Sequence, residues 1–185
     1  MAKHNNKRGS LADPSRLQPL DDDFQHIINV VIETHKGCRN KYAYEPNLKK
    51  FRLKKILPAG AVFPFDFGFI PGTKGEDGDP LDVLVIMDEP AYPGCVIECR
   101  IIGALKAKQT ERDKKKEEND RVIAVSTVST SYSEVKSLKD INKNILEEIE
   151  HFFVSYNEET GKKFEPKGWA EPKEAMQLIK NAKDK

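Results

Sequence analysis

The stretch Glu76-Asp77-Gly78-Asp79-Pro80-Leu81-Asp82, running straight into Val83-Leu84-Val85-Ile86-Met87, constrains this chain more than any other. It predicts a turn feeding an apolar strand, with carboxylates at offsets of two and three held at the edge of a rigid core. Gly78 lets the turn tighten and Pro80 fixes φ after Asp79, so the acids converge before any cation arrives. Hard anionic oxygens arranged in this way suit divalent cations such as Mg²⁺ or Mn²⁺. Acidic Gly/Pro turns also serve as plain hairpin punctuation, and residue type alone leaves both readings open. An EF-hand loop is excluded, because counting from Asp77 the fourth position is Pro80, the fifth Leu81 and the sixth Asp82 rather than glycine.

With 185 residues the chain is long enough for one domain with a real core. The pattern divides it into a polar N-terminal arm over residues 1–23 and a folded domain over 24–185. The Asp21-Asp22-Asp23 run in the arm reads as a solvated patch. The formal net charge of +1 provides no global field for nucleic acid or a membrane surface, so any anion site must be local. No run of eighteen apolar residues exists and the first residues lack an apolar signal stretch, which makes a cytoplasmic location the expectation. Cys38, Cys95 and Cys99 match no zinc spacing. Cys95 and Cys99, four apart in a strand pattern, are expected to be buried on one face.

Strands are predicted at Val30-Val31-Ile32-Glu33, at Lys41 to Tyr44 after a turn, at Phe51 to Leu57, at Gly94 to Leu105 and at Arg121 to Val128. Strict alternation at Phe51 to Leu57 would put Lys55 on the core face beside Leu53, there to snorkel or to meet anions. The phenylalanine-rich segment Ala61 to Gly72 predicts a greasy wall beside the acidic turn. Lys106 to Asp120 reads as an exposed, mobile hairpin loop. Leu138, Ile141, Ile145, Ile149, Phe152, Phe153 and Tyr156 follow helical spacing, with Ser137 or Asp140 as cap. A shorter helix begins at Pro172.

No phosphate-cradling glycine loop, nucleophile elbow or pair of His residues at metal spacing is present among His4, His26, His35 and His151. What remains is a carboxylate cluster with scattered lysines, suited to metal-assisted attack of water on a phosphoryl group.

Asp77-Gly78-Asp79-Pro80-Leu81-Asp82-Val83 resembles the signature of the soluble family I inorganic pyrophosphatases. The resemblance continues through Val30 to Glu33, Lys41-Tyr42, Phe63-Pro64 with Gly68-Phe69-Ile70, Pro93-Gly94 with Arg100, Ala124-Val125, and His151-Phe152-Phe153 with Tyr156. It implies an OB-like five-stranded β-barrel with two C-terminal helices packed on it, assembled as a homo-oligomer (hexamer or dimer). It also implies hydrolysis of pyrophosphate to two phosphates with Mg²⁺, Mn²⁺ or another divalent metal. Carried over by position, Asp77, Asp79 and Asp82 are metal ligands, and Asp79 also holds or deprotonates the attacking water. Glu33 anchors a metal through its waters. Lys41, Lys55, Arg121 and Tyr156 bind the substrate.

The chain departs from the family where Ala43 replaces a Glu, Lys55 an Arg, Phe63 and Phe67 tyrosines, and Asn157 a Lys. The family's pair of metal-binding Asp residues corresponds to Gln109 or Glu111 and to Asn119 or Asp120. Counting back from Ala124-Val125 selects Asn119, while Asp120 is the acid expected to complete the metal shell. Lost ligands at these positions also leave open a weakened homologue that binds metal or phosphate as an interaction protein, or a hydrolase of another phosphoanhydride.

Overall fold

The computed structural model describes residues 13, 14, 17–19 and 26–183; most of the arm expected over 1–23, including Asp21-Asp22-Asp23, lies outside the described residues. In chain order the elements are β1 (Ile27–Thr34), β2 (Asn40–Glu45), β3 (Lys50–Ile56), β4 (Asp66–Phe69), β5 (Asp82–Ile86), β6 (Val96–Thr110), β7 (Lys116–Glu118), β8 (Arg121–Ser126), α1 (Lys143–Glu158), β9 (Lys163–Ala170) and α2 (Pro172–Lys183).

Five of the strands close a ring. β1 pairs with β4, β4 with β5, β5 with β8, β8 with β6, and β6 returns to β1. All of these pairings are antiparallel except that of β5 with β8. Those two strands are buried on nearly every residue, which is why both read as continuous aliphatic runs. This ring with its two helices is the OB-like, five-stranded architecture that the resemblance implies. Alternate side chains of the strands supply two cores. Leu84, Ile86, Ile123 and Val125 pack with Ile149 and Phe153 of α1. Val83, Val85, Val122 and Ala124 pack with Ala175, Met176 and Ile179 of α2. No helix among the described residues is long and apolar enough to cross a membrane.

Several local expectations change. The segment from Lys106 to Asp120 is a paired hairpin rather than a mobile loop: β6 continues to Thr110, and β7 returns beside it with Lys108 facing Glu118. Buried Ala107 and Gln109 alternate there with exposed Lys108, a period of two that the dense charge conceals. Cys99 is buried but Cys95 is exposed, because β6 begins only at Val96 and Cys95 belongs to the preceding turn. The helical spacing from Leu138 spans two elements, a 3₁₀ turn at Leu138–Asp140 capped by Ser137 and α1, whose cap is Asn142. β9 is an additional strand on β6; its Pro166 and Gly168 argue against a strand interior, and a register irregularity at Lys106/Ala107 accommodates them. On β3 a bulge at Lys54 interrupts the alternation, so Leu53 is 46% exposed and does not accompany Lys55 inward.

One buried acid holds the frame together. Asp66, at the start of β4, accepts from the backbone N–H of Lys36 through one carboxylate oxygen and of Ala91 through the other, both at 2.7 Å. Burial pushes its carboxyl above the usual range, although both N–H groups pull the other way. Asp66→Ala strands both donors in a site 1% exposed, and the expected loss is about 2–4 kcal/mol in a denaturant titration. A loss below about 1 kcal/mol would show that water reaches those donors.

Candidate active site

The acidic turn is built before anything binds. Gly75 N donates to Asp79 O at 2.7 Å and Asp79 N to Asp77 Oδ1 at 3.0 Å, while Gly78 takes φ +90°. Thr73 Oγ1 accepts from Leu81 N at 3.0 Å and donates to Ile70 O at 2.6 Å, which anchors the turn to the end of β4. Asp77, Asp79 and Asp82 thereby line a cavity of about 450 Å³. Partial burial raises the Asp77 carboxyl above its ordinary range, and repulsion from Asp82 and Asp79 adds to the effect.

Glu33 enters from β1 by a backbone irregularity. Ile32 pairs with Gly68 and Thr34 with Phe67, leaving Glu33 as the extra residue of a bulge. Bulges re-aim a side chain, and this one faces the cavity, 7% exposed. Its Oε2 accepts from Lys41 Nζ at 2.9 Å and its Oε1 from Tyr44 N at 2.8 Å. Lys41 Nζ also lies 4.0 Å from the centroid of the Phe67 ring. The phenylalanine wall expected beside the turn is thus in place, with Phe63, Phe67 and Phe69 on the cavity surface.

Arg121 follows from topology. β5 and β8 run parallel with Val83 beside Val122, so the residues that open the two strands, Asp82 and Arg121, are neighbours. Their Oδ2 and Nη1 atoms are 2.7 Å apart. Arg121 is 6% exposed, and its guanidinium packs against the rings of Phe153 and Phe164 and also donates to Asn119 Oδ1.

The two registers left open by the sequence differ in which residues face this cavity. Gln109 and Asn119 line it; Asp120 does not. Asp120 accepts from Ala107 N at 2.9 Å and lines a neighbouring cavity of about 370 Å³, where burial pushes its carboxyl up. Asp120, expected to complete the metal shell, thus opens on the neighbouring cavity, which Asp77 and Asp82 also line. Glu111, the other alternative acid, accepts from Gln109 and pairs with Lys162 at 2.8 Å.

Tyr156 on α1 reaches the cavity, and burial, reinforced by the charge of Asp82, pushes its hydroxyl up to about 12. Lys55 sits behind it, Nζ 4.0 Å from the ring centroid and buried without a hydrogen-bond partner. That burial pulls its ammonium below the usual lysine range. Two cavity lysines escape the sequence reading, Lys54 at the β3 bulge and Lys162 just beyond α1. Gly161 after the helical run was the available signal for Lys162, since the residue after a glycine cap returns toward the helix end.

Among the described residues, no three Asp, Glu, His or Cys side chains converge closely enough to cage an ion as they stand. The donors are nevertheless of the right kind. Asp77 and Asp79 carry hard oxygens, and among the described residues no cationic side chain pairs with either, so a divalent ion fits their charge.

Comparison with known proteins agrees with this geometry. The family model described as "Inorganic pyrophosphatase" matches residues 30–185. The inorganic pyrophosphatases of Nostoc sp. and Haloferax volcanii are each 39% identical, over 154 and 158 residues. Those alignments cover 83% and 85% of this chain, and 88% and 86% of the respective relatives. The crystal structure of inorganic pyrophosphatase from Thermus thermophilus superposes with a TM-score of 0.85 at 31% identity, covering 94% of this chain and 98% of that one. The enzyme from Neisseria gonorrhoeae superposes with a TM-score of 0.82 at 32% identity, covering 91% and 95%.

Proposed function

This chain belongs to the inorganic pyrophosphatase family, and from that premise we propose that its cavity hydrolyses pyrophosphate to two phosphates, with Mg²⁺ as the preferred divalent ion. The observation that supports it most is the prebuilt Asp77/Asp79/Asp82 turn sharing one cavity with Lys41, Lys162 and Tyr156. Acids alone would repel a polyanion, and cations alone would hold no metal. The two together accommodate a metal-neutralised phosphoanhydride.

Asp77 and Asp79 would hold the cation, with Asp82 contributing the oxygen not engaged by Arg121. When bound, a divalent ion polarises the phosphoryl group and brings the pKa of the attacking water toward neutrality. Asp79 accepts the proton that this water gives up. Lys41, already oriented by Glu33, and Lys162, oriented by Glu111, face the charge that accumulates on the phosphate oxygens. The Tyr156 hydroxyl, whose pKa burial pushes still further above neutrality, donates to a phosphate oxygen. Phe63, Phe67 and Phe69 exclude bulk water from the wall, which strengthens each of these attractions. Glu33 contributes by holding Lys41 rather than by binding an ion directly.

A cytoplasmic setting is part of the same reading and is supported by three free cysteines, one of them exposed. A homo-oligomeric assembly is supported by family membership and by apolar side chains left exposed on β3, Leu53 and Ile56.

The test is phosphate release from pyrophosphate by the purified full-length chain with Mg²⁺, Mn²⁺ or Zn²⁺. We expect Mg²⁺-dependent turnover that EDTA abolishes and that exceeds turnover of ATP. Release at background level with all three ions would overturn the reading.

A further inference from the structure

We infer that the resting cavity takes about one divalent cation, because Arg121 and the lysines beside it already neutralise the other acids. The inference rests on the proposed reading of this cavity as a cation-dependent phosphoanhydride site, and it concerns how many ions that site holds.

The charge inventory of the cavity carries it. Five carboxylates line it: Glu33, Glu45, Asp77, Asp79 and Asp82. Three of them are committed to protein cations. Glu33 pairs with Lys41 at 2.9 Å, Glu45 with Lys54 at 3.0 Å and Asp82 with Arg121 at 2.7 Å. Glu111, adjacent to the wall, pairs with Lys162 at 2.8 Å. Among the described residues only Asp77 and Asp79 face the cavity without an ion pair, and their two charges balance one divalent ion. In a partly desolvated site an unbalanced charge is costly in either direction, so the count of free carboxylates limits the count of cations.

The positions where the family resemblance expects further acids point the same way. Ala43, Gln109 and Asn119 all line the cavity, and none carries a charge. Asp120 opens on the neighbouring cavity, which shares Asp77 and Asp82 with this one, and its carboxylate is held by the N–H of Ala107. Arg121 is the least dispensable of the protein cations. It is buried between two phenylalanine rings and bridges Asp82 to Asn119, so a second ion at Asp82 would meet a fixed guanidinium a few ångströms away.

Titration of the metal-stripped, full-length protein with Mn²⁺, with free ion followed by electron paramagnetic resonance and no pyrophosphate present, tests this directly. The expected result is about one site per chain. Arg121→Gln, which frees Asp82, leaves three unpaired carboxylates where two divalent ions would need four, and is expected to tighten the single site severalfold without adding a second; because that substitution also disturbs a buried pair, its fold is checked by circular dichroism and the unmodified protein decides the question. Two or more sites of comparable affinity in the unmodified protein, with pyrophosphate turnover intact, would overturn this inference and leave the proposed function standing. No bound Mn²⁺ and no turnover would overturn both.

Discussion

Asp79→Asn is expected to lower the turnover of pyrophosphate by about 10²- to 10⁴-fold, the range that a positioned general base contributes, while the thermal midpoint stays close to that of the unmodified protein. The separation of the two effects follows from how the turn is built. Asp79 serves the fold through its backbone: its N–H donates to Asp77 Oδ1 and its carbonyl accepts from Gly75 N. Its side chain takes part in neither bond, is exposed to the cavity and has no ion pair among the described residues. Asparagine preserves the shape and removes the proton acceptor together with one negative charge. Asp82→Asn makes the informative contrast, since it withdraws the partner of a buried guanidinium; turnover and midpoint should there fall together. A steady-state phosphate assay on both variants checks this, and a kcat for Asp79→Asn within threefold of the parent would remove Asp79 from the chemistry.

What could be read from the sequence was what is encoded locally. The acidic turn was legible because Gly78 and Pro80 restrict the backbone at the positions that space the carboxylates, and β5 because five apolar residues follow without interruption. Helix α2 was legible from Pro172 onward. The rest depends on pairing between distant segments. Nothing near Glu33 announces the bulge that turns it into the cavity, since the bulge exists only relative to Gly68 and Phe67 on β4. The Asp82–Arg121 contact arises from a parallel register between strands separated by the whole of β6 and β7. Asn119 and Asp120 lie between β7 and β8, outside either strand, so no alternation in the sequence tells which of them faces the cavity. β9 was obscured by Pro166 and Gly168, which a strand tolerates here because β6 shifts register opposite them.

That pattern changes what the substitutions mean. In the sequence, Ala43, Gln109 and Asn119 appear as separate departures from the family pattern, the last two with Glu111 and Asp120 as alternatives. In the fold they lie on the same cavity whose remaining acids are mostly tied to Lys41, Lys54 and Arg121. Fewer acids and more committed cations change charge in the same direction, as expected of one site adjusted to a smaller ion load.

The largest effect on stability is expected from Gly68→Ala, which lies in the same strand pair as the Glu33 bulge. Gly68 sits in β4 between Ile32 of β1 and Val83 of β5. A Cβ built there would lie 2.1 Å from Val31 O, 2.9 Å from Val31 C and 3.0 Å from Ile32 Cα. All three are backbone atoms, so no side-chain rotation relieves the contact. β1 cannot simply withdraw, because its opposite edge is paired to β6, with Val31 beside Val96 and Val30 beside Ile97. Relief therefore requires opening the ring or shifting β1 against β4, and the expected cost is at least about 4 kcal/mol, in the range reserved for severe core disruption. For a chain of this size that corresponds to a fall of about 8–16 °C in Tm. Because Glu33 owes its direction to the β1–β4 register and in turn orients Lys41, residual folded protein should also bind pyrophosphate less well. A variant melting within about 2 °C of the parent would mean that β1 yields easily at Val31. In that case Glu33 would lack a fixed aim, and Lys41 would have no rigid partner to hold it over the substrate.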